Sequence, residues 1–374
     1  MTVTSETQQR TGPVGVGIIG AGVISKTYIE NLSSFADTEV VAIGDLYPEL
    51  ARTRAAEHGI ATGGDVAAVL ENPQVELVVN LTIPVAHAEV AGQAVAAGKH
   101  VWNEKPLALD RSSGKALLEA ADAAGLLVGC APDTFLGTGL QTARRLLEEG
   151  VIGTPLSALV LMQGPGPESW HPNPAFLFQE GAGPLFDIGP YYLTALAQFF
   201  GPVRSVAAIG SKARPTRTIG SGPKAGQEFD VTVPSQYAAL VAYESGQSAS
   251  MIYSFDSAMK RTLLEVTGTE GTMLVPDPNH FAGEIKVRHR DDEDWQVAAT
   301  TEEQSSRGTG ALDLARALRE GRPHRAQGAL AYHVLDTMIA VAESGESGQF
   351  APVESTVDKP ALLPEDWDPK AATV

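Results

Sequence analysis

The feature that most constrains the fold is a regular alternation of short apolar runs and amphipathic helical stretches in the first third of the sequence. Strands that alternate with helices of this length are typical of βαβ units and a parallel sheet. The predicted strands, each followed by its predicted helix, are 14–19 and 24–34, 40–43 and 48–58, 75–81 and 86–97, and 100–102 and 111–124, with a last strand at 126–130. The pattern predicts a doubly wound α/β domain that ends near residue 133.

The pattern changes after residue 133, where β-rich segments dominate. Residues 236–243 and 247–255 flank the turn Glu244-Ser245-Gly246, which predicts a hairpin. Further predicted strands are 156–162, 263–268, 272–275 and 285–288, and further predicted helices are 139–149, 191–200, 310–320 and 329–343. We expect an α/β domain at 13–133, an α+β domain on a large, mainly antiparallel sheet at 134–363, and tails at 1–12 and 364–374. An open sheet has a face to cover, which predicts a homodimer or homotetramer through it.

The composition of the chain argues against several classes of binding partner. The chain carries 27 Lys+Arg against 45 Asp+Glu, a formal net charge of -18, so nucleic acid and anionic membranes would repel it. No apolar run reaches the roughly 18 residues that a membrane helix needs, and residues 1–12 lack the pattern of a secretory signal. The single cysteine, Cys130, lies in an apolar run and cannot form an internal disulfide, which indicates a buried thiol in a reducing compartment. We therefore expect a cytoplasmic protein.

A glycine-rich turn, Gly20-Ala21-Gly22-Val23-Ile24-Ser25, stands between the first strand and the first helix. Gly20 permits a tight turn, and Gly22 lets the backbone approach a pyrophosphate at the helix N-terminus. Ser25 takes the place of the usual third Gly or Ala. We predict a dinucleotide-binding Rossmann domain with Gly20, Gly22, Val23 and Ile24 at the cofactor; the alternative is a tight turn without a ligand.

Asp45 ends the second predicted strand. A carboxylate there can accept hydrogen bonds from the adenosine ribose hydroxyls and would repel a 2′-phosphate. Arg52 and Arg54 follow only a turn or more into the next helix, so NAD is favoured, with NADP as the alternative cofactor. Asp45 could instead serve as a helix cap or turn residue.

Two further motifs are Thr82-Ile83-Pro84-Val85-Ala86-His87 and Glu104-Lys105-Pro106. A Thr/Pro loop with a histidine five residues after the threonine, and later a Glu-Lys-Pro sequence after a strand, resembles the Gfo/Idh/MocA family of sugar and polyol oxidoreductases. The resemblance extends from the glycine turn to the terminal helices. It implies cofactor-binding roles for Thr82, Pro84, His87 and Glu104, although His87 could simply cap or pack the following helix.

The resemblance also places Lys105 at the catalytic centre beside the nicotinamide, with Glu104 supporting it and Pro106 fixing the turn. The chemistry agrees, because oxidising a carbinol requires a proton acceptor and an ammonium can stabilise the developing alkoxide. Desolvation is expected to lower the pKa of Lys105. The alternative is an exposed lysine in a loop between a strand and a helix.

The family pattern continues with a glycine pair, an aspartate, and a histidine four residues later. In this chain Gly181, Gly183 and Asp187 match, but Tyr191 stands where the histidine is usual. Because Pro190 should lie in a first helical turn, we expect the helix to begin near Asp187, with Asp187 and Tyr191 on one face. We predict a tyrosine-type site in which Lys105 and Tyr191 transfer the proton, Lys105 lowers the pKa of Tyr191, and Asp187 orients Lys105 or a substrate hydroxyl. Asp187 as a helix N-cap is the alternative.

Trp170 and His171 begin an aromatic and polar loop before this motif. An indole face can stack on a sugar ring while an imidazole bonds a hydroxyl, so we predict substrate contacts from Trp170, His171, Asp187 and Tyr191. His171 is a candidate for the imidazole that the family motif lacks; packing alone is the alternative. The remaining histidines show no metal-ligand spacing, and we predict no metal site.

These features together predict an NAD-dependent dehydrogenase acting on a secondary alcohol of a sugar, sugar derivative or cyclitol. Two alternatives stay open, the first known within this family and the second known for a protein that shares the fold. One is a glycosidase that retains NAD and uses transient oxidation, and the other is a non-catalytic regulator that binds NAD and sugar. The intact Glu104-Lys105-Pro106 and Asp187 argue against the regulator, which needs no proton relay.

Overall fold

A computed structural model describes residues 11–374, which form two sheets with helices packed on them. The first sheet contains β1 (Val14–Ile19), β2 (Thr38–Gly44), β3 (Thr62–Gly64), β4 (Leu77–Asn80), β5 (His100–Asn103) and β6 (Val128–Cys130). Its helices are α1 (Val23–Ser34), α2 (Pro48–His58), α3 (Val66–Leu70), α4 (His87–Ala96) and α5 (Arg111–Ala124). The prediction of a doubly wound domain is confirmed, and Cys130 is buried as expected.

All six strands are parallel, in the order β3-β2-β1-β4-β5-β6. The chain moves outward from β1 to β3 and then resumes on the other side of β1 with β4. Ligands of doubly wound sheets bind where the strand order reverses, outside the carboxyl ends of the strands. Here that edge carries the loops after β1, β2, β4 and β5. β3 and α3 were not predicted, because they are three and five residues long and carry little periodic signal.

The second sheet has nine strands and begins after α6 (Thr138–Glu148). Its strands are β7 (Pro155–Gln163), β8 (Val203–Ser211), β11 (Gln236–Tyr243), β12 (Ser248–Ser254), β13 (Arg261–Gly268), β14 (Gly271–Val275), β15 (Glu284–His289), β16 (Gln296–Thr300) and β17 (Ala351–Pro352). Only β7 and β12 pair in parallel; the predicted hairpin of β11 and β12 is confirmed. Two short strands, β9 (Thr216–Thr218) and β10 (Glu228–Asp230), form a separate ribbon.

Helix α7 (Gly183–Phe200) packs on this sheet and begins earlier than predicted. We expected a start near Asp187, but Pro184 lies in the first turn and Pro190 lies inside the helix. Proline costs an interior hydrogen bond, because it has no N–H to donate to the carbonyl four residues back. Most side chains of α7 are buried, and the apolar surface they bury outweighs that loss.

Helices α8 (Thr309–Glu320) and α9 (Gly328–Ser347) return to the first domain, where α8 contacts β5 and β6, and α9 contacts α5. The packing is close: a Cβ on Gly310 would lie 2.0 Å from the Trp102 ring. α9 also packs along β8, so it contacts strands of both sheets.

The segment 364–374, predicted as a tail, instead packs against the first domain. Asp37 and Arg316 form a buried ion pair of 2.7 Å, and Thr373 N donates to Asp37 Oδ1 at 2.9 Å. Arg316 also donates to the carbonyls of Asp368 and Ala371. The predicted N-terminal tail lies outside the described residues up to position 10.

One face of the nine-stranded sheet is covered by α7 and α9, and the other is open. Large apolar side chains that are exposed on or beside the open face include Leu159, Ile209, Leu240 and Phe350. None of the helices within residues 11–374 has both the length and the hydropathy needed to span a bilayer.

Candidate active site

The glycine turn lies at the carboxyl end of β1 and leads into α1. Gly20 has φ 107°, and a Cβ there would lie 2.7 Å from the Leu81 backbone, so no other residue fits without a shift. Gly22 occupies the N-cap of α1, and a Cβ there would meet no described atom within 4 Å. No side chain among residues 11–374 caps the first turn. The N-terminus of α1 therefore opens onto free space, which fits a pyrophosphate held by backbone N–H groups.

Asp45 lies beside this turn at the end of β2. Its Oδ2 accepts a hydrogen bond from Ala21 N at 2.7 Å, and its Oδ1 accepts one from Tyr47 N at 2.8 Å. Asp45 thus also serves as a turn residue, the alternative considered above. Arg52 and Arg54 hydrogen-bond to glutamates of their own helix, Glu49 and Glu57. The local charge is therefore acidic, as NAD rather than NADP would require.

Apolar side chains surround the same edge of the sheet without being buried. Val23 is 94% exposed and Leu46 is 81% exposed, and Tyr47, Ile83 and Val85 are also largely exposed. Exposed apolar groups concentrated on loops mark a ligand-binding surface, and aromatic rings of a dinucleotide need such a surface. The loops after β1, β2 and β4 therefore fit NAD in chemistry as well as in shape.

The loop after β4 is held by interlocked amides. Asn80 ends β4 and donates to Asn103 Oδ1 at the end of β5, at 2.6 Å. Thr82 Oγ1 donates to Asn80 Oδ1 at 2.7 Å. Pro84 opens a short 3-10 turn that leads into α4. No role was predicted for Asn80 and Asn103, although polar residues that end buried strands are a usable signal.

His87 is buried and connects two loops of the site. Its Nδ1 lies 2.6 Å from the Pro106 carbonyl, and its Nε2 lies 3.0 Å from the Thr82 carbonyl. Burial lowers the pKa of His87. Both ring nitrogens already face protein carbonyls, so His87 links the loop of Thr82 to the loop of Pro106.

Lys105 of the first domain meets Asp187 of the second. The ammonium Nζ donates to Asp187 Oδ1 at 2.9 Å and to the Asp187 carbonyl at 2.6 Å. Lys105 N donates to Glu104 Oε2 at 2.9 Å, and Glu104 Oε1 accepts from Tyr28 OH at 2.8 Å. The Lys105–Pro106 bond is cis. Lys105 is thus a partly buried, oriented side chain rather than a free surface lysine.

Asp187 and Tyr191 lie one turn apart on α7. The N-cap of α7 is Ala182, so Asp187 does not cap the helix. Lys105 Nζ lies 5.3 Å from the centroid of the Tyr191 ring. The Tyr191 hydroxyl makes no hydrogen bond to the part of the chain that the structure describes. The three residues that the sequence singled out therefore come together from the loop after β5 and from α7.

The protonation states differ from those expected. Burial disfavours the ammonium of Lys105, but the charges of Asp187 and Glu104 outweigh burial and raise the pKa of Lys105. Burial also raises the pKa of Tyr191 by more than Lys105 lowers it. Burial does lower the pKa of Lys105 and Lys105 does lower the pKa of Tyr191, as expected, but in the ligand-free chain other contributions outweigh both and the net pKa of each group is raised. At neutral pH the pair consists of an ammonium and a neutral phenol.

Trp170 and His171 lie together on the aromatic loop. Their ring centroids are 5.5 Å apart, and His171 packs on Phe176 at 5.6 Å. Trp170 is 67% exposed, as a stacking surface would be. His171 Nδ1 accepts from Asn173 N at 3.0 Å, and no hydrogen bond or ring contact within residues 11–374 links His171 to Lys105, Asp187 or Tyr191.

Arg217, on β9, anchors this loop to the sheet. It forms ion pairs with Glu168 in the loop and Asp256 after β12, and its guanidinium lies 4.8 Å from the Phe178 ring centroid. It also donates to the Phe255 carbonyl at 3.0 Å. No sequence signal marked Arg217, because its partners come from distant segments.

Asp133 is a further buried residue that no sequence motif indicates. Its Oδ2 accepts from Gly308 N at 2.8 Å and from Gly310 N at 3.1 Å, at the start of α8. Its Oδ1 is buried without a hydrogen-bond partner among the described residues. Burial raises the pKa of Asp133 to about 6, although Arg307 opposes the shift.

This shift predicts a pH-dependent stability. A carboxyl whose folded pKa lies near 6 and whose usual value is 3.8 stabilises the fold while protonated, and that contribution is lost as pH rises from 4 to 6. Asp133→Asn keeps an oxygen acceptor and cannot ionise. Wild type should therefore lose stability relative to the variant as pH rises. The free energy of unfolding of Asp133→Asn minus that of wild type should increase by about 3 kcal/mol between about pH 4 and about pH 7. Urea titrations across this range, with the exposed Asp122→Asn as control, measure the difference; a constant difference would contradict the assignment.

The fold and this site define an NAD-binding oxidoreductase. The chain belongs to the GFO/IDH/MocA family: residues 14–131 match the oxidoreductase family, NAD-binding Rossmann fold, and residues 140–274 match the GFO/IDH/MocA C-terminal domain.

Curated relatives include 1,5-anhydro-D-fructose reductase of Ensifer adhaerens, 27% identical over 69% of this chain and 74% of that protein. Inositol 2-dehydrogenase of Ralstonia nicotianae is 32% identical over 38% of this chain and 43% of that protein. Among solved structures, levoglucosan dehydrogenase in complex with NADH and levoglucosan superposes with a TM-score of 0.78 at 23% identity, covering 92% of this chain and all of the other. This last likeness shows the shared fold.

Proposed function

We propose that this protein transfers a hydride between NAD and a secondary alcohol carbon of a sugar, sugar derivative or cyclitol. The observation that carries the proposal is the meeting of Lys105, Asp187 and Tyr191 at the carboxyl edge of the parallel sheet, which also carries the loops that fit NAD. The relatives named above act on an anhydrosugar and an inositol, which supports this substrate class.

The residues account for both halves of the reaction. During oxidation the carbinol carbon gives a hydride, with two electrons, to C4 of the nicotinamide, and the hydroxyl proton passes to Tyr191 or Lys105. During reduction the phenol of Tyr191 gives its proton to the carbonyl oxygen, while the ammonium of Lys105 stabilises the negative charge that develops there. The ammonium of Lys105 and the neutral phenol of Tyr191 in the ligand-free chain are the protonation states that reduction requires. Oxidation requires one of the two groups to be deprotonated first, so that it can accept the proton.

This difference predicts opposite pH responses. Because the pKa values of Lys105 and Tyr191 are both raised, kcat/KM for oxidation should increase with pH above neutrality, and kcat/KM for reduction should decrease at the alkaline end. Tyr191→Phe should lower both by about 100-fold or more. The matched control is Tyr192→Phe, because the buried Tyr192 hydroxyl has no hydrogen-bond partner among residues 11–374. A Tyr191→Phe enzyme with wild-type turnover would refute the tyrosine assignment.

The substrate is proposed to lie between the aromatic loop and α7. Trp170 offers an exposed indole face, and Asp187 Oδ1 is the oxygen that bonds Lys105, leaving Oδ2 for a substrate hydroxyl. A ring rich in hydroxyl groups with an apolar C–H face suits this combination.

The first experiment is to follow NADH formation with a panel of sugars, anhydrosugars, glycosides and inositols, with NADP in parallel. Turnover with one group supports the proposal and identifies the substrate class. Release of free sugar from a glycoside without added NAD would instead indicate the NAD-retaining glycosidase. NAD binding without any turnover would indicate the regulator.

We also propose that two or four copies assemble through the open face of the nine-stranded sheet. Leu159, Ile209 and Leu240 expose apolar surface there, which a second identical face would bury. Light scattering of the purified protein measures the mass, and a monomer would refute this assembly.

The buried, unpaired thiol of Cys130 supports a cytoplasmic location.

A further inference from the structure

Arg307 reaches the site from a part of the chain that the catalytic motifs do not include. It lies in the loop before α8, and its Cζ is 5.3 Å from the Tyr191 ring centroid and 5.9 Å from that of Phe281. Its Nη2 donates to Asn279 Oδ1 at 2.8 Å, and its carbonyl accepts from Asn31 Nδ2 at 2.7 Å. One side-chain and one backbone hydrogen bond therefore hold Arg307 in place beside Tyr191.

The charges around Arg307 have few other cations to balance them. Glu104, Asp133, Tyr28 and Tyr191 all interact with it. Glu104 otherwise contacts the Tyr28 hydroxyl and the Lys105 backbone, and Asp133 otherwise contacts backbone N–H groups of α8. The ammonium of Lys105 is hydrogen-bonded to Asp187. Arg307 thus adds a positive charge next to two carboxylates whose hydrogen-bond donors are neutral, and at Glu104 it does so together with Lys105.

We propose that Arg307 is a positioning residue for proton transfer, which holds the Tyr191 ring beside Lys105 and places a second positive charge over it. The inference rests on the function proposed above, because it assumes that Tyr191 exchanges the substrate proton. It adds a residue that neither the glycine turn, the Glu-Lys-Pro motif nor the motif of Asp187 contains.

The physical effect is on the ionisation of Tyr191. Burial raises the pKa of Tyr191, and Glu104 and Asp187 raise it further, while Lys105 and Arg307 lower it. Removal of Arg307 leaves Lys105 alone against burial and two carboxylates. A neighbouring opposite charge shifts a pKa by about one unit or more. Without Arg307, Tyr191 should therefore lose its proton only at distinctly higher pH.

The test compares Arg307→Met, which removes the charge but retains a long apolar side chain, with Arg307→Lys, which keeps it. In Arg307→Met the rising limb of kcat/KM for oxidation should move up by about one pH unit, with about tenfold lower activity below the limb. Arg307→Lys should keep the limb close to its wild-type position. Arg261→Met is the control, because Arg261 is an exposed arginine on the second sheet.

A second readout does not depend on turnover. Tyrosinate absorbance is titrated in wild type and in Arg307→Met, each minus its Tyr191→Phe counterpart, which isolates Tyr191. The difference curve should shift to higher pH without Arg307. If Arg307→Met fails to fold, Asn279→Ala, which removes only the anchor of the guanidinium, should shift the curve in the same direction by less.

An unshifted curve in a folded variant, or an activity loss that is equal at every pH, would overturn the role of Arg307. If the wild type oxidises no member of the substrate panel, the proposed function fails, while the tyrosinate titration still decides whether Arg307 controls Tyr191.

Discussion

Replacing Lys105 with methionine should lower kcat by about 10³-fold to 10⁴-fold in both reaction directions. The substitution removes the ammonium that Asp187 orients at 2.9 Å and that lies 5.3 Å from the Tyr191 ring centroid. Acid–base catalysis and electrostatic stabilisation of a developing alkoxide each contribute about 10²-fold or more. Steady-state kinetics with the substrate found in the panel measure the loss. NAD affinity, determined by calorimetric titration, should change much less than kcat.

The matched control is Lys115→Met, on α5. Lys115 is an exposed lysine beside Glu119, so its loss should leave kcat unchanged. A Lys105→Met enzyme that keeps more than about a tenth of wild-type kcat would show that the ammonium is not part of the proton path.

Replacing Asp45 with alanine should raise the KM for NAD by about 10²-fold to 10³-fold. Two ribose hydroxyls bonded to a carboxylate contribute about 1.5 kcal/mol or more each, and both contacts would be lost. The preference for NAD over NADP should fall as well, because the charge that repels a 2′-phosphate is removed. Initial rates at varied NAD and NADP measure both effects.

Asp65→Ala provides the control for this prediction. Asp65 follows β3 as Asp45 follows β2, and its Oδ1 caps α3 by accepting from Ala68 N at 3.0 Å. Its loss should lower stability by about 1 kcal/mol and leave the KM for NAD unchanged. An Asp45→Ala enzyme with wild-type KM for NAD would mean that Asp45 serves only as a turn residue.

The sequence predicted those parts of the structure that depend on neighbouring residues. The strands and helices of the first domain show strong periodicity, and Gly20, Asp45 and Lys105 each follow a strand at a recognisable place. The start of α7 was predicted wrongly because burial of its apolar surface overrides the local rule for Pro190.

Contacts between distant segments could not be predicted in this way. Asp133, Arg217 and Arg307 matter through partners such as Gly310, Asp256 and Tyr191, which lie far from them in the sequence. The net pKa shifts of Lys105 and Tyr191 could not be predicted for the same reason. For Lys105 the surrounding carboxylates outweigh burial, and for Tyr191 burial outweighs the neighbouring ammonium.

The return of the C-terminal helices to the first sheet limits how freely evolution or engineering can exchange its domains. Trp102 is covered by α8, and Asp37 is paired with Arg316 and with the last residues of the chain. A nucleotide-binding half cut away near residue 133 would expose that indole to water and leave a buried carboxylate without its cation. The cofactor half is therefore not a transferable module, and a chimera with a related enzyme should exchange residues 309–374 together with the first domain.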